Sequence, residues 1–304
     1  MPSLRSRVLS VALIAAGRRR RLSSAEAVRT RVAESARRPA SHLPPRSLGR
    51  IAEVSRTFVG AWPVYEVSPR GAEPTARVLY LHGGGYIDEL VRPHWSMVRT
   101  LVTAARARVV VPAYTLAPRG TADRTVPAAA DLLSGLIAGG GEGGTVLIGD
   151  SAGAGLALAA AQRLRDRTGA QPTRIVLISP WLDVSLSHPD QAAIEAADPM
   201  LARAGLREAG RLYAGNLALD DPRVSPLHGS FAGLAPLTVF AGGRDLLVTD
   251  SRELVRRARA AGAEVEFHEE PGQAHVYPLL PVPEGRAARG RIVDLVRRAA
   301  EVRP

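Results

Sequence analysis

The sequence predicts an α/β fold: a mostly parallel central sheet flanked by helices, with a helical cap over one end. Three observations predict it. From about Ala61 onward, short runs rich in Val, Ile and Leu alternate with Ala-rich helical stretches, a pattern that builds parallel sheets covered by helices. Several of the runs are continuously apolar, as strands buried on both faces are. One connection, from about Ser179 to about Leu237, is far longer than a simple crossover needs, so it is expected to fold over the ligand face.

The elements follow in chain order. Leu4, Val8 and Val11 lie at helical spacing within a segment that begins with Arg5 and Arg7 and ends in Arg18–Arg21. Residues 1–21 admit three readings: a mature amphipathic helix, which the spacing favours, a targeting peptide, or a membrane-surface anchor. The apolar run is too short to span a bilayer. Ser23 and Glu26 have the spacing of a capping box for a second basic helix, about Ala25–Arg37, which Pro39, Pro44 and Pro45 then stop. Strands are expected at Val64–Val67, Arg77–Leu81, Arg108–Pro112, Thr145–Ile148, Arg174–Ile178, Leu237–Phe240 and Glu264–His268. Helices are expected at Trp95–Arg106, Val126–Ala138, Gly153–Arg167, Met200–Ala214, Ser251–Ala261 and Glu284–Val302.

With 304 residues, 46% of them apolar, the chain can bury a full core. It has no cysteine, which excludes disulfides, thiolate–metal sites and a cysteine nucleophile. The net charge of +11 is carried by arginine alone, and residues 1–50 hold twelve arginines against Glu26 and Glu34. The remainder is close to neutral. A nucleic-acid-binding body is therefore not expected, whereas the N-terminal segment suits weak contact with an anionic membrane surface. A cytoplasmic location is expected, and a homodimer is kept open.

Chemistry enters at Gly149-Asp150-Ser151-Ala152-Gly153, a G-x-S-x-G run between an expected strand and an expected helix. A tight strand-to-helix turn exposes the serine hydroxyl, and the flanking glycines permit its backbone and the close approach of neighbours. His82-Gly83-Gly84-Gly85 directly follows another strand. Its glycines can aim backbone N–H groups at one point, as an oxyanion requires. The oxyanion hole is assigned to the N–H groups of Gly83, Gly84 and Ala152, with His82 as a structural residue of the loop. Triads on such an elbow run Ser, acid, His along the chain. Among the later histidines, His188 and His228 lie in the insertion and His268 ends a strand. His275 lies in a loop between the last strand and the last helix, and it is the expected base. Asp245, in the loop after Leu237–Phe240, is the expected third member, with Asp250 as its rival and expected helix cap.

These segments resemble the hormone-sensitive-lipase-like branch of the α/β-hydrolases, the bacterial HGGG esterases. The resemblance runs from about Trp62 to the C-terminus. It rests on His82–Gly85, Gly149–Gly153, Tyr114-Thr115-Leu116-Ala117-Pro118, Pro180-Trp181-Leu182-Asp183 and Asp221-Pro222-Arg223-Val224-Ser225-Pro226-Leu227, with Asp245 and His275. Thr115 stands where the family usually has Arg, Arg119 where it has Glu, and Leu246 where Pro commonly follows the triad acid. The resemblance implies an α/β-hydrolase fold over residues 51–304, a cap formed by residues 1–50 and about 183–225, and hydrolysis of short- to medium-chain acyl esters without cofactor or metal.

The same machinery serves lactone or amide hydrolysis, acyl transfer and cyclisation. A non-catalytic small-molecule receptor is the reading of another class, and the intact Ser–Asp–His set argues against it. Tyr86, Trp95, Trp181 and Tyr213 are candidates for lining the pocket or for packing in the core or cap.

Overall fold

A computed structural model of the protein describes residues 2–17, 19–139 and 143–301. Arg18 of the basic run and Val302 at the expected end of the last helix lie outside these residues. The chain opens with helices α1 (Leu4–Ala15) and α2 (Ala25–Arg37), then an antiparallel hairpin of β1 (Ala52–Val59) and β2 (Trp62–Pro69). Strands and helices then alternate: β3 (Ala76–Leu81), α3 (Arg92–Ala105), β4 (Ala107–Pro112), α4 (Ala122–Ala138), β5 (Thr145–Asp150), α5 (Ala152–Thr168) and β6 (Arg174–Ile178). The long connection holds α6 (Gln191–Ala197) and α7 (Arg203–Ala214). The chain returns to the sheet with β7 (Leu237–Gly242), α8 (Val248–Ala260), β8 (Val265–Glu270) and α9 (Pro283–Ala299).

The strands form one sheet in the order β1-β2-β4-β3-β5-β6-β7-β8. Pairing is antiparallel from β1 through β2 to β4 and parallel from there to β8. Alternation along the central strands feeds two core layers. Leu79, Leu81, Leu147, Leu177 and Val239 join the core on the side of α4, α5 and α8. Val78, Tyr80, Val146, Ile148 and Phe240 join the core on the side of α3 and α9. Each such aliphatic side chain contributes about 1.5–3 kcal/mol when fully buried. Both faces are covered, so these strands read as unbroken apolar runs.

Three local readings change. β1 has no apolar run, because it is a largely exposed edge strand carrying Glu53, Ser55, Arg56 and Thr57. The two-residue turn at Gly60-Ala61, with Gly60 at positive φ, was its available signal. The cap of α2 is Ser24 rather than Ser23: its hydroxyl accepts the Ala27 N–H at 3.1 Å. Helix α1 forms where the spacing predicts, but with its faces reversed. Leu4, Val8 and Val11 are 74%, 61% and 66% exposed, while Ser6 and Ser10 are buried. Polar partners on the protein explain the reversal. The Ser3 N–H donates to Glu284 Oε1 at 2.6 Å, the Ser6 hydroxyl donates to Glu284 Oε2 at 2.8 Å, and Gln273 Nε2 donates to Ser6 Oγ at 3.2 Å. No helix among the described residues is long and apolar enough to cross a membrane.

Candidate active site

Ser151, Asp245 and His275 leave the carboxyl ends of β5, β7 and β8, three strands on one side of the sheet. Ser151 is the N-cap of α5 and holds φ 54° and ψ −121°, a strained backbone for a residue with a Cβ. Two close approaches maintain it. A Cβ on Gly153 would meet the Leu81 carbonyl oxygen at 2.2 Å, and one on Gly149 would meet the Gly153 carbonyl oxygen at 2.4 Å. Only glycine lets the start of α5 sit this close to β3. The Ser151 N–H donates to Ile178 O at 2.8 Å, which ties the turn to the next strand.

The structure brings the three residues into a line. His275 Nε2 is 2.9 Å from Ser151 Oγ, and His275 Nδ1 is 2.9 Å from Asp245 Oδ2. All three side chains are buried. The loops carrying Asp245 and His275 are stitched together by the Arg244 N–H, which donates to Gln273 O at 3.0 Å, and the Val276 N–H ties the His275 loop to the residue after β6 by donating to Ser179 Oγ at 2.9 Å. Burial pushes the His275 pKa down. The Asp245 carboxylate opposes this, with Asp198 and Asp150 adding to it, and the net shift is upward from 6.5.

The His82–Gly85 loop runs past the serine. A Cβ on Gly83 would lie 2.9 Å from Ser151 Cβ, so the backbone of the loop passes directly beside Ser151. Among the described residues, the N–H groups of Gly83, Gly84 and Ala152 donate to no protein acceptor. That leaves them available to a developing oxyanion. His82 is fully buried and stacked on Tyr114 at 4.3 Å, and its Nδ1–H donates to Gly83 O at 2.7 Å. Burial, with His94 nearby, lowers its pKa to about 3. It is a neutral support for the loop, and Tyr114 reinforces it by donating to His82 O at 2.7 Å.

Asp150 lies beneath this loop. The Tyr80 hydroxyl donates to Asp150 Oδ1 at 2.6 Å, and His94 Nε2 lies 3.4 Å from Asp150 Oδ2. Burial works against its charge, but His94 and Tyr80 outweigh burial and hold its pKa below the ordinary value. Sequence reasoning named Asp150 only as part of the motif and missed Tyr80 and His94. It also missed Asp198, a buried carboxylate that accepts the N–H groups of Met200 at 2.7 Å, Leu201 at 3.0 Å and Leu246 at 2.7 Å. Asp198 thereby joins the long insertion to the residue after Asp245. Burial and the charge of Asp245 raise its pKa. Asp250 does not cap α8. It sits in the first turn, and its Oδ2 accepts the Leu182 and Asp183 N–H groups at 2.9 and 3.0 Å, holding the chain that follows β6.

A cavity of about 290 Å³ opens onto Ser151 and His275. Its apolar wall is drawn from α1 (Leu13), the following turn (Leu22), the insertion (Met200, Leu206) and the stretch after His275 (Val276, Leu279). Tyr86, Trp95, Trp181 and Tyr213 are not in that wall. All four are buried, and Tyr86 stacks on Tyr213 at 3.6 Å, packing α7 against the core. Helix α2 is pinned over the cavity by Arg29–Glu208 and Arg31–Asp88, each at 2.7 Å.

A histidine that must be neutral to accept the serine proton sets the acid limb of activity. Its pKa is raised, so the limb is expected to centre above 6.5, with rate rising as pH increases through it. Removing the nearby charge with Asp198→Asn should move the limb to lower pH. A pH profile of kcat/KM for both proteins checks this.

Comparison with known proteins agrees with this geometry. Residues 78–279 match a family model described as the alpha/beta hydrolase fold. The chain is 37% identical over 229 residues to a triacylglycerol lipase of Mycobacterium tuberculosis, covering 75% of this chain and 47% of that protein. It therefore spans about half the length of that relative. It is also 37% identical over 216 residues to an acetyl-hydrolase of Streptomyces hygroscopicus, covering 69% of this chain and 72% of that protein. The crystal structure of an esterase from the bacterial hormone-sensitive lipase family superposes with a TM-score of 0.76 at 30% identity, covering 91% of this chain and 98% of that one. The chain belongs to the alpha/beta hydrolase fold family, in its hormone-sensitive-lipase-like esterase branch.

Proposed function

We propose that the protein hydrolyses short- to medium-chain carboxylic esters through an acyl-enzyme on Ser151. The unbroken hydrogen-bonded line Ser151–His275–Asp245 at the floor of an apolar cavity carries this reading. As Ser151 Oγ attacks the ester carbonyl carbon, His275 Nε2 takes its proton, and Asp245 steadies the imidazolium. The carbonyl oxygen becomes an oxyanion held by the N–H groups of Gly83, Gly84 and Ala152. The intermediate collapses, the C–O bond to the alcohol breaks, and His275 returns the proton to the departing alkoxide. Water then gives a proton to His275 and attacks the acyl carbon. Collapse frees the acid and restores the Ser151 hydroxyl.

The cavity is small for a ligand site, and aliphatic side chains share its wall with Arg21, Arg31, Asp88 and Glu89, which supports a modest acyl chain over a long one. In this reading residues 1–50 and about 183–225 act as the cap, because both segments contribute to the cavity wall. The partners proposed are the ester substrate, an anionic surface at the N-terminal segment and a second copy of the chain, and the compartment proposed is the cytoplasm. The test is a series of chromogenic esters from acetyl to palmitoyl, with lactones alongside. Butyryl to octanoyl esters should exceed palmitoyl by about tenfold or more in kcat/KM. A preference for palmitoyl, or turnover of lactones alone, would overturn the substrate class.

A further inference from the structure

Helix α1 turns its aliphatic side chains to the solvent. With 3.6 residues per turn, Leu4, Val8, Val11 and Ala15 share one face, and all four are exposed. Ser3, Ser6 and Ser10 share the opposite side and face the protein: Ser3 and Ser6 bind Glu284, Ser6 also accepts from Gln273 of the loop that carries His275, and Ser10 donates to Ser6 O within the helix. The helix cannot roll its stripe inward without breaking these bonds. Contiguous exposed aliphatic surface of this kind marks an interaction site.

The charges around the stripe say what it meets. Arg5 and Arg7 flank it, Arg20 and Arg21 are exposed beyond its C-terminal end, and no Asp or Glu occurs before Glu26. Among the described residues, none of these four arginines has a carboxylate within ion-pairing distance. A second copy of the chain packed stripe to stripe would bring two sets of unpaired arginines together, which like-charge repulsion opposes. An anionic bilayer accepts both features: acyl chains take the aliphatic stripe, and headgroup phosphates take the arginines. Twelve residues of helix are too few to span the hydrocarbon, so α1 would lie in the plane of the interface.

We propose that the outward face of α1 and its flanking arginines form a docking surface for an anionic phospholipid bilayer. Docking sets the catalytic cavity beside that surface, because Leu13 on the inner side of the same helix, with Arg21 and Leu22, lines the cavity that holds Ser151. The significance of docking for turnover rests on the proposed esterase activity, but docking itself does not.

The test is co-sedimentation of the full-length Ser151→Ala protein, which cannot turn over lipid, with two vesicle types: phosphatidylcholine alone, and an equal mixture of phosphatidylcholine and phosphatidylglycerol. Binding should favour the anionic vesicles and fall as salt is raised to about 0.5 M. Val8→Ser/Val11→Ser should lower the partition coefficient on anionic vesicles by about tenfold or more. Arg5→Gln/Arg7→Gln should reduce the preference for anionic over neutral vesicles by about tenfold. With Ser151 intact, both double variants should hydrolyse a water-soluble butyryl ester at the wild-type rate, showing that they fold. Absence of binding to anionic vesicles, equal binding to both types, or binding indifferent to both double variants would overturn the proposal. So would a lipid-free dimer that Val8→Ser/Val11→Ser dissociates while vesicle binding is unchanged. Loss of the esterase reading would appear instead as absent ester turnover by the unsubstituted protein, with vesicle binding intact.

Discussion

Ser151→Ala is expected to lower kcat on a soluble butyryl ester by roughly 10⁵–10⁶, as loss of a triad nucleophile does, while leaving the protein folded. Among the described residues, the hydroxyl makes one hydrogen bond, to His275 Nε2. The backbone of the elbow is held by bonds that do not involve it: the Ser151 N–H donates to Ile178 O, and Ser151 O accepts the Ala154, Gly155 and Trp181 N–H groups. Alanine meets the same positive φ at the same cost, so the strain is unchanged. A melting temperature within about 3 °C of the unsubstituted protein is expected, corresponding to about 1 kcal/mol for a domain of this size. Steady-state turnover and a circular dichroism melt together check this. Turnover within tenfold of the unsubstituted protein would remove Ser151 from the mechanism.

Asp245→Asn should cost on the order of 10⁴ in kcat, through the tautomer of His275. Asp245 Oδ1 accepts the Leu247 N–H at 2.9 Å, and Oδ2 faces His275 Nδ1 at 2.9 Å. An asparagine keeps its carbonyl oxygen on the Leu247 N–H, which turns its NH₂ toward Nδ1. The imidazole must then carry its proton on Nε2, where it donates to Ser151 Oγ instead of accepting from it. The base is present but faces the serine with the wrong atom. The loss of charge also lowers the basicity of His275, so the acid limb of the residual activity should move to lower pH. A rate within tenfold of the unsubstituted protein, with the acid limb unmoved, would show that the carboxylate is not what orients the ring.

What the sequence showed without help was local. The elbow at Gly149–Gly153 and the glycine loop at His82–Gly85 were legible because the backbone they need restricts the residues that can form them. The central strands were legible because burial on both faces leaves an unbroken aliphatic signature. β1 and α6 were not: one is an exposed edge strand, and the other is a seven-residue helix with little apolar periodicity. The roles of Asp198, Tyr80 and His94 were also hidden, since each depends on a partner distant in the chain.

Helix α1 shows where the division falls. The spacing of Leu4, Val8 and Val11 determined that the segment is a helix with an aliphatic stripe, since that follows from 3.6 residues per turn. Which way the stripe points was decided by Glu284 and Gln273, more than 260 residues away, which capture Ser6. Sequence alone likewise determined which hydroxyl, carboxylate and imidazole were available to the site. Only the ordering of β5, β7 and β8 on one side of the sheet decided that they meet, because hydrogen bonds of 2.9 Å are set by chain packing and not by spacing along the chain.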